Sequence, residues 1–236
     1  MKIVSKITLA ATFGLALAFS FSCSSGDDND DNGGGGGQGV PFNENSQIYD
    51  WDGSDYTGNG IIESVSGGVS CGGNCVDGDC NRVCKWNGFK VGIVTNGIVK
   101  LELPDNIPDE HSVDFLEESL FSGCPDTYKD IKTNSGGFGL FKSDKEYVGG
   151  LVIRYADEQI YEQIAYMYFS KAGKITCNFK EDVEEEGGLF NIDVDINAKK
   201  GWNKVYAKAK PNANGGADWK LTTNNILTKE MKWTID

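Results

Sequence analysis

Phe190-Asn191-Ile192-Asp193-Val194-Asp195-Ile196-Asn197 alternates apolar and polar side chains without a break. A strand sends successive side chains to opposite faces, so this stretch buries one face and wets the other. The same period recurs at Ile175, Cys177 and Phe179, at Val205, Ala207 and Ala209, and at Met231, Trp233 and Ile235. Residues 164–169, Ile-Ala-Tyr-Met-Tyr-Phe, are apolar on both faces and predict a central strand. Asn96-Gly97, between two apolar runs, predicts a type I′ hairpin, because both turn positions need positive φ. Further reversals fall at Ala172-Gly173, at 182–188, at Lys200-Gly201 and at 212–216. One short helix is expected over 108–121. Asp109 can cap it, Glu110 suits its first turn, and Val113, Leu116 and Leu120 share a face before Gly123 and Pro125 stop it. Together these signals predict a mainly β fold: an antiparallel β-sandwich or barrel-like domain with one short helix, spanning 88–236.

Composition agrees with a packed domain. Of 236 residues, 39% are hydrophobic and 24% charged, so a core can form. Glycine is high at 31 and proline low at 5, which suits tight turns rather than a proline-rich spacer. The net charge of −13 would repel phosphate over most of the surface, which excludes a nucleic-acid partner. The charge is uneven: eight of the basic residues and only three acids lie after Asn197, so the last strands either pair with acidic neighbours or face a negative partner.

The first residues read as an address. Lys2 and Lys6 precede an uncharged run rich in Leu, Ala, Ile and Phe that ends at Ser20-Phe21-Ser22-Cys23. That is the charge and hydropathy pattern of a secretory signal over 1–22. The small residue before Cys23 resembles a relaxed lipobox of bacterial lipoproteins, which implies cleavage before Cys23 and a diacylglyceryl group on its thiol. Removing 1–22 takes two lysines and no acid, so the mature chain is more acidic still. Ser24-Ser25-Gly26, Asp27-Asp28-Asn29-Asp30-Asp31-Asn32 and Gly33 to Gly37 follow, and nothing in 23–39 can join a core. It is expected to be a disordered, lipidated, acidic and glycine-rich tether. The acids just after the cysteine resemble an export signal of surface-displayed lipoproteins. The expected location is therefore the cell envelope, lipid-anchored at the outer membrane and facing the surface or the periplasm, with the membrane engaged through palmitate-type acyl chains.

Setting Cys23 aside leaves six cysteines: Cys71, Cys75, Cys80, Cys84, Cys124 and Cys177. An even number in an exported chain predicts disulfides, although six cysteines allow fifteen connectivities. Four of them lie within 71–84, among glycines and polar residues that cannot hold a loop by burial. Their x3, x4, x3 spacing departs from the paired x2 spacing of zinc ribbons, so disulfides are expected over metal. Residues 40–87 are expected to be a cysteine-rich loop segment packed on the main domain.

Candidate ligand sites are weak. Asp50, Asp52, Asp55, Asn59 and Glu63 offer oxygens for a structural calcium, and Asp55-x-Thr57-x-Asn59-Gly60-x-Ile62 partly matches an EF-hand loop, but its twelfth position is Ser66 where a bidentate carboxylate belongs. No other cofactor is indicated. Trp202 and Trp219 lie at turn edges beside Lys200 and Lys220 and are the candidates for stacking a sugar ring. The single histidine, His111, has no nucleophile motif near it, and no G-x-S-x-G is present, so an enzyme is not expected, and a secreted hydrolase stands only as the third alternative. From Gly150 onward, residues 164–169, Lys199-Lys200-Gly201-Trp202-Asn203-Lys204-Val205-Tyr206 and Lys232-Trp233-Thr234 resemble uncharacterised bacterial lipoproteins. That resemblance implies a β-rich exported domain and brings no active site. The expected function is a non-catalytic envelope protein that presents a β-sandwich to a polysaccharide or an envelope protein. The alternative is a carbohydrate-binding lipoprotein using exposed aromatics.

Overall fold

The computed structural model describes residues 40–50, 52–72, 75–76, 79–80, 83–117, 121–134, 137–142, 146–156, 159–183, 188–213 and 215–236. Within that set, the backbone alone is described from 66 to 85 and at 182 and 183. The expected signal, lipidation site Cys23 and tether lie outside the described residues.

The chain is mainly β. Its strands are β1 (Ile48–Tyr49), β2 (Gly60–Gly72), β3 (Cys75–Val76), β4 (Asp79–Cys80), β5 (Val83–Thr95), β6 (Ile98–Leu101), β7 (Val113–Asp114), β8 (Lys132–Asn134), β9 (Gly137–Phe141), β10 (Tyr147–Ala156), β11 (Tyr161–Phe169), β12 (Gly173–Val183), β13 (Gly188–Ala198), β14 (Gly201–Pro211), β15 (Ala217–Thr222) and β16 (Lys232–Ile235). All but β3 and β4 belong to one sheet. Most neighbours are antiparallel, but β1 runs parallel to β16 and β13 parallel to β15, so the sheet is mixed. The opening octapeptide is the middle of β13, with Ile192, Val194 and Ile196 buried between polar neighbours. Asn96 (φ 49°) and Gly97 (φ 77°) turn β5 into β6 with the expected pair of positive φ angles.

Half of the sheet closes on itself. β6 pairs β5, β5 pairs β2, β2 pairs β9, β9 pairs β10, and β10 pairs β16. β16 pairs β1, and a Gln47–Ile98 bridge with an Ile48 N–H to Gly97 carbonyl bond of 2.9 Å returns β1 to β6. One buried cluster draws from every strand of this ring, including Ile48, Ile62, Val94, Val99, Leu140, Ile153 and the fully buried Trp233. The segment 40–87 therefore supplies β1 and β2 to the ring itself.

The other half is an open wing in the order β11-β14-β15-β13-β12. Residues 113–117 and 121–131 fold over one face of it. Phe115 and Phe121 stack at 4.2 Å on a second buried cluster with Met167, Ile175, Val194, Val205 and Leu221. Each fully buried side chain of this kind contributes about 2 kcal/mol. The Cys124–Cys177 disulfide fastens this cap to β12. The ring of Phe179 fills the space in which Gly123 would otherwise carry a Cβ, so the cap can approach only because that residue is glycine.

Among the described residues of 108–121, the expected helix is not formed. Asp109–His111 and Phe115–Glu117 are single 3-10 turns, and Val113–Asp114 between them pairs with β8. Asp109 cannot serve as the cap because it sits inside the first turn, behind an N-cap Pro108 that has no side-chain acceptor. Ser112 then turns extended (φ −106°, ψ 139°), and β-branched Val113 takes the sheet edge that Thr133 offers.

Candidate functional site

The wing leaves its second face to solvent, and strand register determines what that face carries. One row crosses Asn178, Asp193, Lys220, Lys208 and Glu162 from β12 to β11. The next crosses Lys180, Asn191, Asp218 and Lys210, and on the other side lie Thr176, Asp195 and Thr222. These residues share a face because they are the polar positions of period-two strands whose alternates fill the second core.

Opposite charges sit side by side along it. Lys174 reaches Asp195 at 3.6 Å and Lys220 reaches Asp193 at 4.0 Å. Asn191 donates to Asp218. Pairs this exposed contribute little to stability, about 0–1 kcal/mol each. At the ring end the situation changes. Glu162 is fully buried and accepts the Thr228 N–H (2.8 Å), the Thr228 hydroxyl (2.6 Å), the Lys229 N–H (3.1 Å) and the Lys208 ammonium (2.8 Å). Burial alone raises a carboxyl pKa, but the hydrogen bonds and the Lys208 charge outweigh it and hold Glu162 below the usual carboxylate range. Lys204 pairs with Glu44. The basic residues after Asn197 thus find partners among acids earlier in the chain, at least at Lys204, Lys208 and Lys220.

The same corner receives the start of the described chain. Val40 N–H bonds the Leu227 carbonyl at 3.1 Å, Asn225 donates to the Val40 carbonyl at 3.0 Å, and Trp233 Nε1 donates to the Glu44 carbonyl at 3.0 Å. Leu227 adjoins Thr228, so Val40 sits beside the Glu162 end of β11. At the other end of that strand, Tyr168 pairs with Asn134, whose Oδ1 accepts the Ser64 hydroxyl at 2.9 Å. The cysteine-bearing hairpin begins just beyond Ser64. Val40 and the hairpin root therefore lie at opposite ends of β11, about 20 Å apart along the strand.

Of the residues singled out in sequence, Trp202 is committed to the fold. Its Nε1 donates to the Pro104 carbonyl at 2.9 Å and its ring packs at 5.8 Å on Tyr168 and 6.4 Å on Phe89. Trp219 is half-buried at the capped face of the wing, 5.4 Å from the Tyr161 ring. The calcium candidates have separate engagements. Asp52 accepts the Ser54 N–H at 2.9 Å, Asn59 accepts the Asn96 N–H at 2.8 Å, and Glu63 accepts Trp86 Nε1 at 2.6 Å. Asp50 closes a turn with Ser54 through its backbone, and Asp55 bridges Tyr49. Among the described residues, no three His, Cys, Asp or Glu side chains gather as a metal site. Cys71 and Cys75 pair through the backbone with Cys84 and Cys80. His111 is buried against Phe89 at 4.9 Å, and its carbonyl accepts Asn134 Nδ2 at 2.6 Å. The Ser64 hydroxyl points its proton at Asn134, which makes this a structural polar cluster at the joint of ring and wing.

What sequence reading missed was the wing row and the Glu162 cluster. Lys208 meets Glu162 through the β11–β14 pairing and Lys220 meets Asp193 through the parallel β13–β15 pairing, and no local pattern encodes either. No protein family, curated protein or solved structure matches this chain. Among the described residues no helix is long and apolar enough to cross a membrane.

Proposed function

We propose that this chain is a non-catalytic, lipid-anchored protein of the cell envelope, held at the outer membrane through Cys23, that offers the polar face of its wing for binding a polysaccharide or another envelope protein. The observation that carries the reading is the Cys124–Cys177 disulfide, because such bonds persist in oxidising compartments. The signal-like 1–22 and the acidic, glycine-rich 23–39 agree with it. The wing face supports the binding half: it is broad, wet and lined by ammonium, carboxylate and amide groups, which suit a hydroxyl-rich or charged surface better than an apolar ligand.

Metabolic labelling with an alkyne fatty acid, followed by membrane fractionation, tests the anchor. Label in the outer-membrane fraction, lost in Cys23→Ser, is expected; an unlabelled soluble protein overturns it. Binding is tested with the detergent-solubilised full chain on immobilised polysaccharides and by crosslinking in intact cells. Charge reversal at Lys220 and Asp193 should remove the signal. Retention on polysaccharide that survives those changes but fails in Trp219→Ala would move the site to the Tyr161–Trp219 edge.

A further inference from the structure

β2 and β5 pair as far as Gly72 and Val83, and β3 pairs β4 just beyond. From Ser70 outward the pairs are Ser70–Lys85, Cys71–Cys84, Gly72–Val83, Cys75–Cys80 and Val76–Asp79. All of these obey one register: each step forward on one side is matched by one step back on the other. The short β3–β4 pair is thus the continuation of the β2–β5 ladder. Every cysteine in this stretch is set directly opposite another cysteine. Two residues, Asp77 and Gly78, separate Val76 from Asp79, and Asp-Gly is a preferred sequence for a two-residue hairpin loop.

We infer that Cys71 is disulfide-bonded to Cys84 and Cys75 to Cys80, two nested rungs across one hairpin. Directly opposed residues of an antiparallel pair have Cα atoms about 4.5–5.5 Å apart, inside the range of about 4.4–6.8 Å that a disulfide spans. Cys75 lies four residues past Cys71 and Cys80 four before Cys84, an even offset, so both pairs occupy the same kind of rung. With Cys124 and Cys177 already joined, four cysteines leave three connectivities, and the register favours one of them. The local pairing 71–75 with 80–84 would tie residues along one strand, and the crossed pairing would shear the register. The symmetric x3, x4, x3 spacing, which fits no zinc ribbon, is what a hairpin folded at Asp77-Gly78 produces.

Each rung forms by loss of two thiol protons and two electrons, giving one S–S bond. The electrons pass to the disulfide of a thiol–disulfide oxidoreductase, which leaves as the dithiol. The hairpin has few apolar residues with which to hold itself, so the rungs supply the bracing that burial cannot. Its root lies at the end of β11 remote from Val40, so the braced hairpin is carried away from the segment that leads to Cys23.

The test is the Cys75→Ser full-length protein, denatured without reductant, with free thiols trapped by N-ethylmaleimide and mapped after cleavage at Asp77, Asp79 and Arg82. The label is expected on Cys80 alone. Label on Cys84 would establish the crossed pairing and label on Cys71 the local one, and either overturns the assignment. The unsubstituted protein gives an independent readout that needs no variant to fold. Its non-reduced digest should hold the Cys71/Cys75 peptide joined to both the Cys80 and the Cys84 peptides, which excludes the local pairing, and a further cut after Asn74 should leave Cys71 with the Cys84 peptide and Cys75 with the Cys80 peptide, the reverse of the crossed pairing. Four free thiols with bound metal there would also overturn it, while leaving the Cys23 anchor untouched.

Discussion

The Tyr128 hydroxyl accepts the Thr176 N–H at 2.9 Å and donates to the Thr176 carbonyl at 3.0 Å. Among the described residues β12 pairs only with β13, so its outer edge would otherwise show a row of unpaired backbone groups to any passing strand. One phenol from the cap occupies both groups of one rung, and that rung, Thr176, adjoins Cys177, which fastens the cap. Replacing Tyr128 by Phe keeps the ring 6.1 Å from Phe115 and removes only the plug. Stability should fall by about 1 kcal/mol in urea unfolding. The weight-average sedimentation coefficient should rise above wild type at matched concentration. An unchanged coefficient would show that the plug does not guard the edge.

Glu162 is the buried charge on which the 225–231 segment depends. Glu162→Gln should cost about 3 kcal/mol, because it removes the fully buried carboxylate that pairs with the half-buried Lys208 ammonium. The pH dependence follows from the depressed pKa of Glu162. A carboxyl with a lower pKa folded than unfolded adds stability above its unfolded pKa and loses it as pH falls through the folded one. Wild type should lose stability toward acid more steeply than Glu162→Gln. Parallel curves from pH 7 to 3 would show that the carboxylate is not the group responsible.

The cap is held covalently as well as by packing. Cys124 and Cys177 are 53 residues apart, and on a chain-entropy account a loop of that size adds about 4 kcal/mol. Changing both to Ser should approach that loss. Amide exchange should accelerate first in 113–131 and β12, with the seven ring strands still protected. Uniform acceleration would mean that wing and ring open as one.

Trp202 and Trp219 should separate cleanly. Trp202→Ala removes a ring lodged between Tyr168 and Phe89 and leaves the Pro104 carbonyl without its donor, at a cost of about 3 kcal/mol. Trp219→Ala, at the rim, should cost roughly half as much on the same scale of lost burial. Paired melting curves of the two variants decide this; equal losses would place Trp219 in the core.

Sequence patterns served well where a strand's fate is local. The Asn96-Gly97 turn, the alternation in β13 and the two-sided apolar run in β11 each depend on neighbours a few residues away, and each is found as expected. They failed at 108–121, where the apolar spacing of Val113 and Leu116 imitates a helix while Val113 itself is exposed and paired to Thr133. Long-range closure left no local mark. Nothing in Val40 or Leu227 announces their hydrogen bond, and nothing in Lys220 or Asp193 announces a parallel neighbour. The spacing of the four hairpin cysteines left their pairing open, and only the backbone register sets Cys71 opposite Cys84 and Cys75 opposite Cys80.

The parallel contact of β1 with β16 has a mechanical consequence. Any pull delivered through the residues ahead of Val40 first meets the bonds to Leu227 and Asn225, then runs along β1. Because β16 lies alongside in the same direction, those bonds are strained together rather than one after another, and Trp233 is locked beneath them by its bond to Glu44. The body should resist tugging from its N-terminal side in shear, the stiffest way a pair of strands can be loaded.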